Sequence, residues 1–205
     1  MLMSKISCVL FDLGGVIVNW KDSWLIQDIS EEFQLQKDKV AIEFRKNLPQ
    51  ISTGKINEKE FWKIIGEKLE SKKLMNYEQS ILDRIFRKHV TLNEPIISLS
   101  KEFVQNEIPI GILSNTELVT FSVIEDLLSL EHFKYKFLSY KIGHLKPNPQ
   151  IYKHVIKNTP FPKEEVFFID DLKSNVESAR LEGIDAVQYS DFDKLVNECQ
   201  NRKLL

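Results

Sequence analysis

Ile6-Ser7-Cys8-Val9-Leu10-Phe11-Asp12-Leu13-Gly14-Gly15-Val16 opens the chain with an apolar run that stops on a carboxylate and a pair of glycines. The design recurs twice. Ile108-Pro109-Ile110-Gly111-Ile112-Leu113 runs into Ser114-Asn115, and Val166-Phe167-Phe168-Ile169 runs into Asp170-Asp171. Short apolar runs bounded by turn residues suit strands buried on both faces, as in parallel sheets. In open α/β sheets the reactive crevice lies beyond the carboxyl ends of the strands. If the three runs lie side by side, a carboxylate, a hydroxyl and a carboxylate pair converge there. Such a set can hold a divalent cation and a phosphoryl group.

The rest of the chain alternates in the same sense. A helix is expected near Asn93 with Pro95 in its first turn, then the strand at 108–113 and a helix at roughly 117–130. A strand over Tyr135 to Tyr140, a helix at 149–158 and the strand at 166–169 follow. A helix from about Ser174 to Leu181 stops before Gly183, and Ala186 to Tyr189 gives a last short strand. Strands alternating with helices indicate an α/β fold with a doubly wound parallel sheet.

Residues 22–90 break the alternation. Leu25, Ile29 and Phe33 recur at intervals of four, as do Val40, Phe44 and Leu48, then Phe61, Ile65 and Leu69, then Tyr77, Ile81 and Ile85. These are one-face helical stripes. Asn57 with Glu60 reads as a capping box for the third helix, and Asn76 as the cap of the fourth. Pro49 to Lys55 reads as the break between the second and third. The expected organisation is an α/β core over residues 1–18 and 92–205, with an inserted α-helical cap over 19–91 that covers the carboxyl end of the sheet.

Composition limits the classes of partner. Of 205 residues, 28 are Lys or Arg and 30 are Asp or Glu, for a net charge of −2. There is no basic block of the kind that binds nucleic acid. Lys72-Lys73 and Arg84/Arg87-Lys88 suit solvated helix faces. A hydrophobic content of 42% supports a packed core. Two distant cysteines, Cys8 and Cys199, do not form a secreted disulfide framework. Met1 to Leu10 does not read as a signal peptide, because Lys5 interrupts its short apolar stretch. No run approaches membrane-spanning length. A soluble protein in a reducing, cytoplasmic setting is expected, with neither nucleic acid nor membrane as partner.

Each chemical candidate has a plainer alternative. Asp12 is a potential nucleophile toward phosphorus, although a lone strand-end aspartate more often caps a turn. Gly14-Gly15 permits a tight turn that leaves N–H groups open to an anion. Ser114 and Asn115 suit phosphoryl oxygens, or a turn that caps the next helix. Lys146, stiffened by Pro147, can neutralise both a carboxylate and a phosphoryl group, whereas an isolated lysine is usually solvated. His144 reads as a loop histidine. Asp170-Asp171 is the strongest single piece, because adjacent carboxylates at a buried strand end repel each other unless a cation compensates. Hard oxygen ligands of this kind suit Mg²⁺. Asn175 is placed to hydrogen-bond within the same loop. Trp20 and Trp24 stand where the cap begins and are read as core before pocket.

Taken in order, these pieces resemble the haloacid dehalogenase-like (HAD) hydrolase superfamily. Phe11-Asp12-Leu13-Gly14-Gly15-Val16, Leu113-Ser114-Asn115-Thr116, Gly143-His144-Leu145-Lys146-Pro147-Asn148-Pro149 and Phe168-Ile169-Asp170-Asp171-Leu172-Lys173-Ser174-Asn175 are similar to its four motifs. The helical insert after the first strand is similar to one of its cap types. The resemblance implies a Rossmann-like core and a Mg²⁺-dependent hydrolase of phosphate monoesters acting through an aspartyl-phosphate. It implies Asp12 as nucleophile, and Asp12, the Gly14 carbonyl, Asp170 and Asp171 as metal ligands. Ser114, Asn115, Lys146 and Gly15 would bind the phosphoryl group of a small phosphorylated metabolite.

One position departs from the family pattern. Its phosphatases usually carry a second Asp two residues after the nucleophile, where it protonates the leaving group; here that residue is Gly14. A general acid contributes typically about 10²–10⁴-fold. A branch resembling sugar-phosphate phosphatases, including glucose-1-phosphatase-like proteins, also has Gly there. Gly14 therefore permits two readings: a phosphatase that finds its proton elsewhere, or a non-catalytic phosphate- or partner-binding homologue. A haloacid dehalogenase or a phosphomutase fits less well.

Overall fold

The computed structural model describes residues 5–205; residues 1–4, part of the N-terminal stretch read above, lie outside the described residues. The strands are β1 (Cys8–Phe11), β2 (Val18–Asn19), β3 (Thr91–Leu92), β4 (Ile110–Ser114), β5 (Phe133–Leu138), β6 (Val166–Asp170) and β7 (Asp185–Gln188). Five of them form one parallel sheet in the order β5-β4-β1-β6-β7. The strand that opens the sequence is thus central, with Phe11 in register with Ile112 on one side and Ile169 on the other.

Alternation along β1 explains why the sheet is covered on both faces. Val9 and Phe11 pack into one apolar cluster, Cys8 and Leu10 into another. The first is closed by α6 (Glu94–Gln105), α7 (Leu118–Leu127) and α11 (Phe192–Asn201), through Ile96, Phe103, Phe121 and Leu195. The second is closed by α9 (Pro149–Asn158) and α10 (Lys173–Leu181), through Ile151, Tyr152, Val176 and Ala179. Phe11 is fully buried, so truncation to Ala costs about 3–5 kcal/mol.

The helical block comprises α1 (Asp22–Glu32), α2 (Lys37–Ser52), α3 (Glu58–Lys68), α4 (Lys72–Met75) and α5 (Ile81–His89). Its stripes meet in their own apolar cluster, from Leu25 and Ile29 through Phe44, Phe61 and Ile65 to Ile85. The Asn57–Glu60 capping box forms as expected, with the two reciprocal bonds at 2.9 and 3.0 Å. Two local expectations change. Pro49 does not break α2, which continues to Ser52; Pro49 and Arg45 four residues before it are both exposed, so solvent can serve the carbonyl that loses its N–H partner. Asn76 closes the short α4 by donating to the Lys72 carbonyl, and Ser80 caps α5 by accepting from Asp83 N–H.

Strand β5 begins at Phe133, and Tyr140 falls in the one-turn helix α8 (Ser139–Ile142). The block joins the sheet through β2 and β3, which pair antiparallel as Val18 with Leu92 and Asn19 with Thr91. Asn93 fastens this ribbon to the turn after β1, donating from Nδ2 to the Val16 carbonyl at 2.8 Å. Among the described residues no helix is long and apolar enough to cross a membrane.

Candidate active site

Parallel register places the ends of β4, β1 and β6 side by side, and Asp12, Ser114 and Asp170 with them. Asp12 N–H donates to the Ile169 carbonyl, which continues the β1–β6 pairing one residue past the strand. The Asp12, Asp170 and Asp171 carboxylates each offer an oxygen within 4.8 Å of the others. Asp12 and Asp170 are buried, and Asp171 is half-buried.

Lys146 is the cation among them. Its Nζ lies 2.9 Å from Asp12 Oδ2, 2.6 Å from Asp170 Oδ2 and 2.9 Å from the Leu113 carbonyl. Two of its protons go to Asp170 and the Leu113 carbonyl, and Asp12 lies within ion-pair distance of the third. An ammonium this deeply buried is expensive unless paired, and here the two carboxylates keep it protonated. Burial lowers its pKa, but Asp12 and Asp170 outweigh burial and leave it raised.

Asp170 is surrounded by donors. Oδ1 accepts from Leu172 N–H at 2.8 Å and from Asn175 Nδ2 at 3.0 Å, and Oδ2 accepts from Lys146 and, at 3.1 Å, from Asn175. Asp171 accepts no side-chain hydrogen bond among the described residues, and burial, then the Asp170 charge, push its carboxyl above the ordinary value. Burial also pushes Asp12 up, to about 7, against the lowering pull of Lys146. Three clustered carboxylates face one ammonium, and Asp171, which accepts from no side chain among the described residues, borders the cleft beside Asp12. That imbalance fits a hard divalent cation, which Asp12, Asp170 and Asp171 would hold together.

The turn after Asp12 is built by hydrogen bonds from Val16 N–H and Val18 N–H to the Leu13 carbonyl. Asp12 Oδ1 accepts from Leu13 N–H at 2.7 Å, which aims the carboxylate. Gly15 adopts φ +76°, and a Cβ there would collide with the Asp171 carboxylate, whereas a Cβ on Gly14 would meet open space. Gly15 N–H already donates to the Val18 carbonyl at 2.8 Å. Its place in the site is therefore the turn itself rather than the phosphate contact expected from the motif. The Asn115 side chain is likewise engaged elsewhere, bonded to the backbone of Lys146. Ser114 is buried with its hydroxyl toward Asp12. His144 is exposed and outside the cluster.

Above the carboxylates a cleft of about 450 Å³ opens between sheet and cap. Asp12, Gly14, Ser114, Asn115, Lys146 and Asp171 line its floor. The volume suits a small organic ligand. Trp20 lines it, while Trp24 packs edge-on against Trp20 and stacks on His89. Three wall residues were not singled out by sequence: Asp22 at the start of α1, Arg45 on α2 and Glu117 before α7. Glu117 follows the second motif directly, but a lone glutamate carries no pattern until the cap is folded against it.

Known proteins resemble the chain to different extents. The chain is 24% identical over 207 residues to bifunctional epoxide hydrolase 2 of Rattus norvegicus, covering 93% of itself but 37% of the rat protein. It is 26% identical over 191 residues to D-ribitol-5-phosphate phosphatase of Bacteroides thetaiotaomicron, covering 88% of itself and 90% of that enzyme. Among solved structures, a HAD family enzyme from B. thetaiotaomicron superposes with a TM-score of 0.80 at 23% identity, covering 94% of this chain and 99% of that one. The same enzyme in complex with magnesium and inorganic phosphate gives 0.75 at 24% identity, covering 93% and 98%. The family model for haloacid dehalogenase-like hydrolases matches residues 9–189, from β1 past β7. The chain belongs to the haloacid dehalogenase-like hydrolase family.

Proposed function

We propose that this protein is a magnesium-dependent phosphomonoesterase that cleaves a small phosphorylated metabolite, of the sugar- or polyol-phosphate class, through an aspartyl-phosphate. The observation that carries the reading is the setting of Asp12: buried, oriented by Leu13 N–H, 2.9 Å from Lys146 and clustered with Asp170 and Asp171. The phosphatase named among the relatives and the magnesium and phosphate held by a structural neighbour support it. Residues 1–18 and 92–205 form the catalytic core in this reading, and 19–91 the cap that selects substrate. A cytoplasmic setting belongs to the same reading.

Asp12 attacks phosphorus, and the ester oxygen leaves; water then attacks the aspartyl-phosphate and releases phosphate and the carboxylate. Lys146 offsets the repulsion between an anionic nucleophile and an anionic substrate. The Ser114 hydroxyl and the backbone at Asn115 hold phosphoryl oxygens at the end of β4. Mg²⁺, held by Asp12, Asp171 and the Gly14 carbonyl with Asp170 in support, would supply further neutralisation of phosphoryl charge. A panel of phosphorylated metabolites in Mg²⁺ tests the proposal. Phosphate release by the native protein is expected, with its loss in Asp12→Asn; turnover that persists in that variant overturns Asp12 as nucleophile.

Gly14 favours one competing reading, a phosphate-binding homologue without turnover. Inorganic phosphate that binds in Mg²⁺, with no hydrolysis of p-nitrophenyl phosphate or acetyl phosphate, would establish it.

A further inference from the structure

A phosphomonoesterase with glycine at position 14 must find a proton for its leaving group elsewhere. Two carboxylates beyond the Asp12–Asp170–Asp171 cluster line the cleft, Asp22 and Glu117. Asp22 is exposed and accepts from Trp20 Nε1 at 3.1 Å. Glu117 is half-buried and belongs to the core, three residues past Ser114, so its position is fixed relative to Asp12 by β4.

Glu117 is held from both sides. Thr120 Oγ1 donates to its Oε2 at 2.9 Å, and Ser52 at the end of α2 donates to Oε1 from the cap. Thr116 and Thr120 pair at 3.0 Å. Ser139 accepts from Thr116 N–H at 2.9 Å and donates to the Ser52 carbonyl at 2.6 Å. The carboxyl is thus fixed at the junction of core and cap, on the wall of the cleft whose floor is Asp12. A leaving group that extended from phosphorus toward the cap would pass this wall.

We propose that Glu117 is the general acid and base of the reaction, in the role that Gly14 cannot fill; this rests on the phosphatase reading above. As Asp12 forms its bond to phosphorus, the bond to the ester oxygen breaks and that oxygen takes the Glu117 proton to leave as an alcohol. In the second step Glu117 carboxylate takes a proton from the attacking water as the bond from phosphorus to Asp12 breaks, which restores both groups. Burial pushes the Glu117 carboxyl up, in the direction that suits an acid at neutral pH. Hydrogen bonds from Ser52 and Thr120 pull it down, and the Asp22 charge adds to the upward push. Arg45 of α2 also borders the cleft, and Lys55, Glu58, Lys59 and Tyr140 border the outer groove that reaches Glu117.

The test compares leaving groups in Glu117→Gln. An alkyl phosphate such as glycerol phosphate needs protonation at the ester oxygen, while p-nitrophenyl phosphate, whose phenolate leaves readily, needs much less. The expected kcat/KM falls about 100-fold or more on the alkyl ester and less than about tenfold on the aryl ester. Gly14→Asp added to Glu117→Gln, with open space for its side chain, is expected to recover at least part of the alkyl activity. An equal fall on both esters, or a rise in KM alone, overturns the proposal in favour of a positioning or binding role; no fall overturns it outright. Thermal melts and Mg²⁺ titration of each variant report folding. Failure of the underlying phosphatase reading shows itself separately, as absence of Asp12-dependent turnover on either ester in the native protein.

Discussion

Asn115 bonds twice to the backbone of Lys146: Oδ1 accepts from the Lys146 N–H at 2.8 Å, and Nδ2 donates to the Lys146 carbonyl at 2.9 Å. The end of β4 thereby sets the position of a lysine 31 residues further along the chain. A displacement of about 1 Å in such a group can cost about 100-fold in rate. Asn115→Ala is expected to lower kcat/KM by that order and stability by about 1–3 kcal/mol. Asn115→Asp, which keeps the acceptor, should retain more of both. Steady-state kinetics beside urea denaturation decide it; a variant with native kinetics would remove Asn115 from the positioning of Lys146.

Lys146 is the only cation touching the buried carboxylates among the described residues. Breaking a buried ion pair costs about 3–5 kcal/mol. Lys146→Met is expected to lose about that much in chelator-treated buffer and to regain part of it in Mg²⁺, because the added ion relieves the same repulsion. Urea midpoints measured with and without Mg²⁺ check this. A variant equally destabilised in both conditions would argue against a shared electrostatic role.

The opposite change follows for Asp171, whose carboxylate is beside Asp170 and accepts from no side chain among the described residues. Asp171→Asn is expected to raise the melting temperature of the metal-free protein while weakening Mg²⁺ binding by at least about tenfold. Calorimetric titration and thermal melts report the two effects independently. Undiminished affinity would place the metal elsewhere.

The two glycines of the first turn are expected to respond differently to the same methyl group. Gly14→Ala, at an open position outside the left-handed region, should leave stability unchanged or raise it by about 0.4–1 kcal/mol. Gly15→Ala, at φ +76° and against Asp171, should cost about 1–2 kcal/mol or more and weaken Mg²⁺ binding as well. Denaturation curves and metal titrations of the pair check the contrast.

Asp28 in α1 ties the ends of the helical block together, 2.7 Å from Lys88 and 2.9 Å from His89. Burial raises its pKa, but hydrogen bonds from Lys88 and His89 outweigh burial and set it below its ordinary 3.8. A depressed carboxyl pKa means that the folded state holds its proton less tightly than the unfolded chain. The stabilisation is therefore complete above the unfolded value and is lost as pH falls through the folded one. Asp28→Asn should lower stability at neutral pH and flatten the decline below about pH 4. Urea midpoints as a function of pH measure it, and an unchanged acid limb would show that Asp28 does not contribute.

Strands β1, β4 and β6 were legible because both faces of each are buried, which leaves unbroken apolar runs that end abruptly on polar residues. The helical block was legible from its stripes and from the Asn57–Glu60 pair. The ribbon of β2 and β3 was not, since two-residue strands have no periodicity to detect. α11 escaped notice although Phe192, Leu195 and Cys199 share a face and Asp191 caps it through Lys194 N–H. Asp12, Ser114, Lys146, Asp170 and Asp171 were brought together as read. The Gly15 N–H and the Asn115 side chain, which their motifs point at an anion, are bonded within the fold instead, to the Val18 carbonyl and the Lys146 backbone. Glu117, Asp22 and Arg45 became visible only where cap meets core.

Leaving and re-entering the sheet through one paired ribbon makes everything from Lys21 to Val90 a detour whose two ends nearly touch. Such a detour can lengthen, shorten or be exchanged for another without shifting a single strand of the sheet. If the sheet carries the bond-breaking residues, as proposed, the choice of substrate can change through the excursion alone.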